Sequence, residues 1–88
     1  MDLLKIMYDI NSKYFFGSLS KSFNNIEELI TNLKNNFNIS NIEIDGNRIL
    51  INEQDQVLLI EIYSDDDKIR IKEPIIESLS DNNYYFKD

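Results

Sequence analysis

Residues 41–72 decide the fold, and they read NIEIDGNRILINEQDQVLLIEIYSDDDKIRIK. Apolar residues recur here at every second position, which is the period of a β-strand with one buried face. Short polar or glycine-containing stretches interrupt the pattern, and we expect turns at those places. The pattern predicts four strands, at 41–45, 48–53, 57–63 and 68–73. Connections this short cannot cross over the sheet, so neighbouring strands must be antiparallel.

The turns set the register of the predicted meander. Gly46-Asn47 suits a two-residue turn with glycine first, and we expect four-residue loops at 53–56 and 64–67. The predicted pairs are Ile44 with Ile49, Ile42 with Ile51, Ile51 with Leu58, Ile49 with Ile60, Ile62 with Ile69, and Ile60 with Ile71. A slip of one residue would turn a strand inside out, so the agreement of all these pairs supports one inner face. That face holds Ile42, Ile44, Ile49, Ile51, Leu58, Ile60, Ile62, Ile69 and Ile71.

The sequence pattern of residues 1–40 predicts two helices that cover this face. The first, over about residues 3–13, follows Asp2, which is a suitable N-cap. The second, over about 25–37, begins with Asn25 and Glu28 in the spacing of a capping box. The apolar stripes are Leu3, Met7, Ile10 and Tyr14 in the first helix and Ile26, Leu29, Ile30, Leu33 and Phe37 in the second.

Some segments allow more than one interpretation. Residues 14–16 fit either the end of the first helix or a short strand, and residues 17–22 read as a loop. After Pro74, the apolar residues Ile75, Ile76 and Leu79 suggest one short helical turn. The aromatic cluster Tyr84–Phe86 either docks on the domain or anchors a partner.

The predicted architecture is a single α+β domain spanning residues 1–88. Two N-terminal helices pack on one face of a four-stranded antiparallel β-meander, with a possible short C-terminal helix. The chain divides into a helical part at 1–40, the meander at 41–73 and a C-terminal segment at 74–88.

Composition argues against catalytic, cofactor-binding and metal sites. The chain contains neither cysteine nor histidine, so thiolate ligands, thiol nucleophiles and imidazole bases are absent. It also has no glycine-rich phosphate loop and no nucleophile elbow. Residues 65–67 are all aspartate but lack the alternating spacing of an EF-hand loop, which favours a solvated turn. We therefore expect no enzyme. The apolar stretch at residues 1–10 is too short to span a bilayer and lacks a basic leader, so we expect a cytoplasmic location.

Charge is distributed unevenly along the chain. Residues 1–40 carry four acids and four lysines, whereas residues 41–88 carry the other 12 acids against five basic residues, which gives the net charge of −7. An acidic field attracts basic surfaces and repels nucleic acid. Strand positions two apart hold side chains about 7 Å apart, close to the spacing of phosphates along a nucleic-acid strand. The candidate partner-binding acids are Glu43, Asp45, Glu53, Asp55, Asp65, Asp66 and Asp67.

The second face of the predicted sheet mixes charged and apolar residues. Cross-strand ion pairs are predicted between Asp45 and Arg48 and between Glu61 and Arg70. Between them lies an apolar strip of Leu50 opposite Leu59, flanked by Val57 and Tyr63, which a fully solvated face does not need. The first helix, the Tyr84–Phe86 tail, a second copy of the chain or a target protein are the possible covers. The candidate apolar contacts are Leu50, Leu59 and Tyr63.

In size, acidity and lack of cysteine, the chain resembles the small inhibitor proteins of phages and mobile elements, among them anti-CRISPR and immunity proteins. The resemblance implies a stoichiometric, non-enzymatic inhibitor that binds a basic, nucleic-acid-binding site on a host protein in the host cytoplasm. Mimicry of a nucleic acid is one way in which such a protein would bind. It implies no direct contact with nucleic acid or membrane. The alternatives are a structural or regulatory module that self-associates through the outer sheet face or the edge strand at 68–73, and an immunity protein or antitoxin. Raising the salt concentration weakens binding through acids but not through leucines, and so separates the first two hypotheses.

Overall fold

The computed structural model describes residues 2–78. The helices and strands are α1 Leu3–Tyr14, β1 Phe15–Phe16, β2 Leu19–Ser20, α2 Ile26–Phe37, β3 Ile42–Asp45, β4 Arg48–Glu53, β5 Gln56–Asp65, β6 Lys68–Ile71 and β7 Ile75–Ser78. Strands β3 to β7 form one antiparallel sheet, and β1 and β2 form a separate small hairpin. The α+β class is confirmed, but the sheet has five strands where the sequence predicts four.

Both predicted helices are confirmed, and both begin at the predicted caps. The carboxylate of Asp2 accepts the backbone N–H three residues later, at 3.2 Å. At the start of α2, Asn25 Oδ1 accepts the N–H of Glu28 at 2.8 Å, and the Glu28 carboxylate accepts the N–H of Asn24 at 2.8 Å. The bonds to Asp2 and Asn25 satisfy N–H groups that a helix leaves without internal partners, and the bond to Asn24 holds the residue before the cap. Within the described range, neither helix is long and apolar enough to cross a membrane.

Residues 14–16 combine both predicted alternatives. Tyr14 is the last residue of α1, and Phe15 and Phe16 form β1. The predicted loop after them is in fact a tight hairpin, in which Phe16 pairs with Leu19. Gly17 has a φ of +68°, a conformation that glycine adopts without steric cost, and this allows the chain to reverse there.

The first two hairpins of the main sheet have the predicted registers. Strands β3 and β4 pair Ile42 with Ile51 and Ile44 with Ile49, and strands β4 and β5 pair Ile49 with Ile60 and Ile51 with Leu58. The second connection is tighter than the predicted four-residue loop, because Glu53 pairs directly with Gln56.

The predicted register of the third hairpin is wrong by two residues. Ile62 pairs with Ile71 rather than with Ile69. The hairpin closes through Asp66 and Asp67 alone, and both have positive φ values, of 55° and 69°. Two left-handed residues match the twist of a two-residue hairpin turn, and aspartate tolerates this conformation better than most residues. A shift of two residues keeps every side chain on its own face, so the core is unaffected.

The same shift changes the predicted ion pairs. The predicted contact between Glu61 and Arg70 does not form, because Arg70 lies opposite Tyr63. Glu61 instead lies next to Lys72, whose Nζ is 3.3 Å from the Glu61 carboxylate.

The predicted helical turn after Pro74 is wrong. Residues 75–78 form β7, which pairs with β5 along the same edge as β6. Between the two strands lies a bulge, in which two residues of β5 face three residues, 72–74. A bulge accommodates proline, which has no N–H to give to the sheet. The extra residue reverses the alternation, so that Ile75 faces outward and Ile76 faces the core. Leu79 and the Tyr84–Phe86 cluster lie outside the described residues.

Both helices pack on the inner face of the sheet. Tyr14 makes edge-to-face contacts with Phe23 and Phe37, each with 5.4 Å between ring centres. Phe23 and Ile39 are buried although the sequence pattern did not identify them as core residues. Ile44, which we predicted on the inner face, is 54% exposed because β3 forms the border of the sheet. The buried core consists of Leu3, Ile6, Ile10, Tyr14, Phe23, Leu29, Leu33, Ile39, Ile49, Ile51, Leu58, Ile60, Ile62 and Ile71.

Residues 20–24 bind along the border of β6 that faces away from β5. Phe23 and Ile69 exchange two backbone hydrogen bonds, both of 2.8 Å. The buried Ser20 hydroxyl accepts the N–H of Ile71 at 2.9 Å and donates to the carbonyl of Lys21 at 2.9 Å. The chain between the small hairpin and α2 thereby serves as a partial sixth strand.

Candidate functional site

The outer face of the sheet is the side opposite the two helices, and a row of alternating charges crosses it. The row, which we call the charged row, consists of Asp45 on β3, Arg48 on β4, Glu61 on β5 and Lys72 after β6. Arg48 Nη2 lies 3.2 Å from Asp45 Oδ2, and Lys72 Nζ lies 3.3 Å from Glu61 Oε2. Arg48 and Glu61 are direct cross-strand neighbours. The signs therefore run negative, positive, negative, positive across the sheet.

An apolar row lies directly beside the charged row. This leucine row consists of Leu50, Leu59 and Ile75, which face one another across β4, β5 and β7. Leu50 and Leu59 are half-buried, and Ile75 is 54% exposed. Val57, on the far side of the row, is buried. The structure thus brings together the two predicted leucines and adds Ile75, which sequence reasoning missed because the bulge reverses the face of β7.

A depression of about 200 Å³ lies where the two rows meet. Its floor includes Leu59 and Ile75, and its walls include Arg48, Glu61 and Lys72. Among residues 2–78, no group of three acidic residues is placed to hold a metal ion. The depression combines a small apolar floor with paired charges, which suits contact with a protein side chain.

Tyr63 lies on the other side of the charged row from the predicted leucines. It is half-buried and pairs with Arg70. The Arg70 guanidinium is held in place, because its Nε lies 2.6 Å from Asp65 Oδ2 and its Nη1 donates to the carbonyl of Ser20. Arg70 therefore connects the β5–β6 hairpin to the small hairpin, and Tyr63 beside it does not extend the leucine row.

The predicted acids do not form one cluster. Glu43 accepts a hydrogen bond from the Asn52 amide at 3.2 Å, and Asp45 and Asp65 are paired with arginines. Glu53 and Asp55 lie at the β4–β5 turn, which is the opposite end of the sheet from the β5–β6 turn.

Asp66 and Asp67 form the tip of the β5–β6 hairpin and are exposed. The hairpin projects beyond β4, because residues 63–65 of β5 pair only with β6. Of the proposed phosphate mimics, these two are exposed and form no ion pair with a described basic residue.

The outer face is much less acidic than the chain as a whole. Counting the bulge residue Glu73, it carries six acids and four basic residues, a net charge of −2 against −7 for the chain. The acids are Glu43, Asp45, Glu61, Asp65, Glu73 and Glu77, and the bases are Arg48, Lys68, Arg70 and Lys72. Residues 1–40 sum to zero, so most of the other negative charge lies at the turns of the sheet, on Glu53, Asp55, Asp66 and Asp67.

A second apolar surface lies on the helical side of the molecule. Leu4 and Tyr8 project from the solvent side of α1 and are 50% and 61% exposed. Phe16 and Leu19, paired across the small hairpin, are 77% and 47% exposed. Single exposed apolar residues are common on protein surfaces, and these four are not framed by a charge pattern like that of the outer face.

Comparison of the chain with models of known protein families, with curated proteins and with solved structures found no significant match.

Proposed function

We propose that this chain is a non-catalytic protein-binding domain and that its binding surface is the outer face of the sheet. The observation that carries the proposal is the leucine row, which no helix of the described chain covers. A sheet face that stays in water has no need of Leu50, Leu59 and Ile75 side by side. An apolar centre framed by paired charges is also the usual composition of a protein interface.

Binding of this kind is stoichiometric, as it is in small inhibitor proteins and immunity proteins. The lack of cysteine and histidine supports the same proposal, because it removes the thiol nucleophile and the commonest general base near neutral pH. The border of β6 is a weaker candidate for the binding surface, because Ile69 and Ile71 already bond through their backbone groups to residues 20–24.

Immobilised protein and an extract of the source cells test this proposal. The double variant Leu50→Ser/Leu59→Ser removes the apolar centre, and Leu4→Ser removes a more exposed leucine from the opposite side. We expect proteins retained by the wild type and by Leu4→Ser to be lost with the double variant, as measured by quantitative mass spectrometry. Retention by all three would exclude the outer face as the binding surface.

A second candidate function is inhibition of a nucleic-acid-binding protein through the tip of the β5–β6 hairpin. The projecting, exposed Asp66 and Asp67 favour it, because they face outward without an ion pair to any described basic residue. Charges at such a tip steer the approach of a basic partner.

The variant Asp66→Asn/Asp67→Asn separates the two candidates. Asparagine tolerates the left-handed conformation of both positions, so the turn should persist. If the tip binds a basic site, the variant should associate more slowly at low salt and the difference should shrink as salt rises. If the outer face binds, the variant should behave as the wild type.

A further inference from the structure

The signs of the charged row alternate across the outer face. If the same row is laid over it in the opposite order, every charge meets a charge of opposite sign. We propose that the partner of the outer face is a second copy of the same chain, bound face to face about a two-fold axis that runs parallel to the strands between β4 and β5. The inference rests on the proposed function, because it names the partner of the same surface.

A two-fold axis in this position reverses the order of the strands but keeps each row at its own height. Strand β4 then lies over β5 of the second copy, and β3 lies over the segment that follows its β6. Arg48 faces Glu61 of the second copy, and Asp45 faces its Lys72. Because the signs alternate, every charge in the row meets an opposite charge, and the two ion pairs within each chain join into one network.

The leucine row fits the same arrangement. Leu50 lies over Leu59 of the second copy, and the symmetry repeats this contact, so four leucines meet at the centre of the interface. Sheets that pack face to face lie about 10 Å apart, which is the distance that two layers of leucine side chains fill. Ile75 lies at the rim, next to the aliphatic part of Glu43 of the second copy.

The charges also select this axis over the perpendicular one. An axis across the strands through the leucine row would turn the charged row onto the row of Asn52 and Val57. Glu61 would then lie over Val57 of the second copy and gain no opposite charge there, keeping only the partners of its own chain. The cost of removing these charges from water would not be offset by new ion pairs, so the parallel axis is favoured.

The size of the face sets the strength of the contact. Four strands about 4.8 Å apart and some six residues long cover about 400 Å² on each chain. The interface would then total about 800 Å², roughly half of a standard protein interface. A weak, reversible dimer is therefore expected, and it would form only at high local concentration.

Two charge variants test the pairing directly. In Arg48→Glu, position 48 meets Glu61 of the second copy with the same sign, and in Glu61→Arg, position 61 meets Arg48 with the same sign. Each variant alone should therefore dimerise at least about tenfold more weakly than the wild type. In an equal mixture, all four pairs of the row have opposite signs again. The mixture should recover an affinity within about threefold of the wild type, although each chain still carries its own altered neighbours.

Sedimentation equilibrium of the full chain measures the dimerisation of the wild type, of each variant and of their equal mixture. The protein concentration runs from about 10 μM to about 1 mM in about 0.15 M salt, where charges are screened beyond about 8 Å. Thermal unfolding of each variant confirms that it is folded. A wild type that stays monomeric over this range would overturn the inference. In that case the occupant is not a second copy, and the extract experiment tests whether it is another protein. Variants that dimerise like the wild type, or a mixture no tighter than its components, would overturn it as well.

This outcome is distinguishable from failure of the proposed function. If the wild type is monomeric but the extract experiment shows loss of a partner with Leu50→Ser/Leu59→Ser, the outer face binds another protein and only the second-copy inference fails. If neither experiment responds to changes on the outer face, both fail.

Discussion

The two faces of the sheet differ in how strongly their contacts depend on strand register. The inner face is built from aliphatic residues that need only point to the correct side, whereas the outer face depends on which residue stands opposite which. The third hairpin shows the difference, since its two-residue shift from the predicted register leaves the core intact but gives Glu61 a new partner in Lys72. Core periodicity is therefore a reliable guide to which side a residue faces and a poor guide to its neighbours.

Removal of a central inner-face side chain is expected to have the largest effect. Ile60 is fully buried between β4 and the helices, so Ile60→Ala should lower the free energy of unfolding by about 2–5 kcal/mol. The matched outer-face variant Ile75→Ala, at a residue 54% exposed, should cost less than about 1 kcal/mol. Urea-induced unfolding measures both. Equal losses would mean that the outer face is covered as completely as the inner one.

The second prediction tests the attachment of the small hairpin to the sheet. Ser20 is buried, and its hydroxyl is the partner of the Ile71 N–H. Ser20→Ala leaves that N–H without its acceptor and should cost about 1–3 kcal/mol, whereas Ser18→Ala, at the exposed turn, should change stability by about 0.5 kcal/mol or less. A loss for Ser20→Ala no greater than for Ser18→Ala would show that this contact contributes nothing to the fold.

The third prediction concerns pH and the helical side of the core. Burial raises the pKa of the Tyr14 phenol above 10, although the hydrogen bond from Asn36, at 3.0 Å, acts in the opposite direction. The unfolded chain therefore loses this proton at lower pH than the folded chain, and stability should fall as the pH rises above about 10. Tyr14→Phe removes the ionisation, so part of this fall should disappear from alkaline unfolding curves. Identical pH dependence in the two proteins would contradict the assignment.

The smallest effect is expected from an outer-face charge. Asp45→Asn breaks the exposed pair with Arg48 and should lower the free energy of unfolding by at most about 1 kcal/mol. The loss should be smaller at high salt. Asp66→Asn, at the hairpin tip, is the matched control and should cost still less. If Asp45→Asn lowers the free energy of unfolding as much as Ser20→Ala does, the charged row stabilises the monomer. The outer face would then contribute to folding as the inner face does, which would contradict the difference between the two faces.

The elements with strong local signals could be predicted from the sequence. Both helix starts, the registers of the first two hairpins and the contact of Leu50 with Leu59 follow from caps, turn residues and alternation. The third turn could not be predicted as easily, because Asp66-Asp67 contains no glycine to indicate left-handed residues.

Other features depend on tertiary structure that no local pattern reveals. The bulge before β7 breaks the alternation, so Ile75 and Ile76 read as helical in the sequence although the edge of β5 makes them a strand. Phe23 lies in a polar stretch without periodicity, and only its pairing with Ile69 places it in the core. The predicted acids were grouped by their position in the chain, whereas the hairpins send Asp55 and Asp67 to opposite ends of the sheet.

The bonding of residues 20–24 to β6 has a consequence for how copies of the chain can assemble. An unprotected sheet border is a template on which further strands can add without limit, the route to filaments and amyloid. At β6 this template is occupied from within, since both backbone groups of Ile69 and the N–H of Ile71 are already bonded. Chain growth by strand addition is therefore blocked at that border, whereas a two-fold contact between faces consumes the surface it uses and closes at two copies. At the β6 border the fold thus favours closed assembly over open-ended growth.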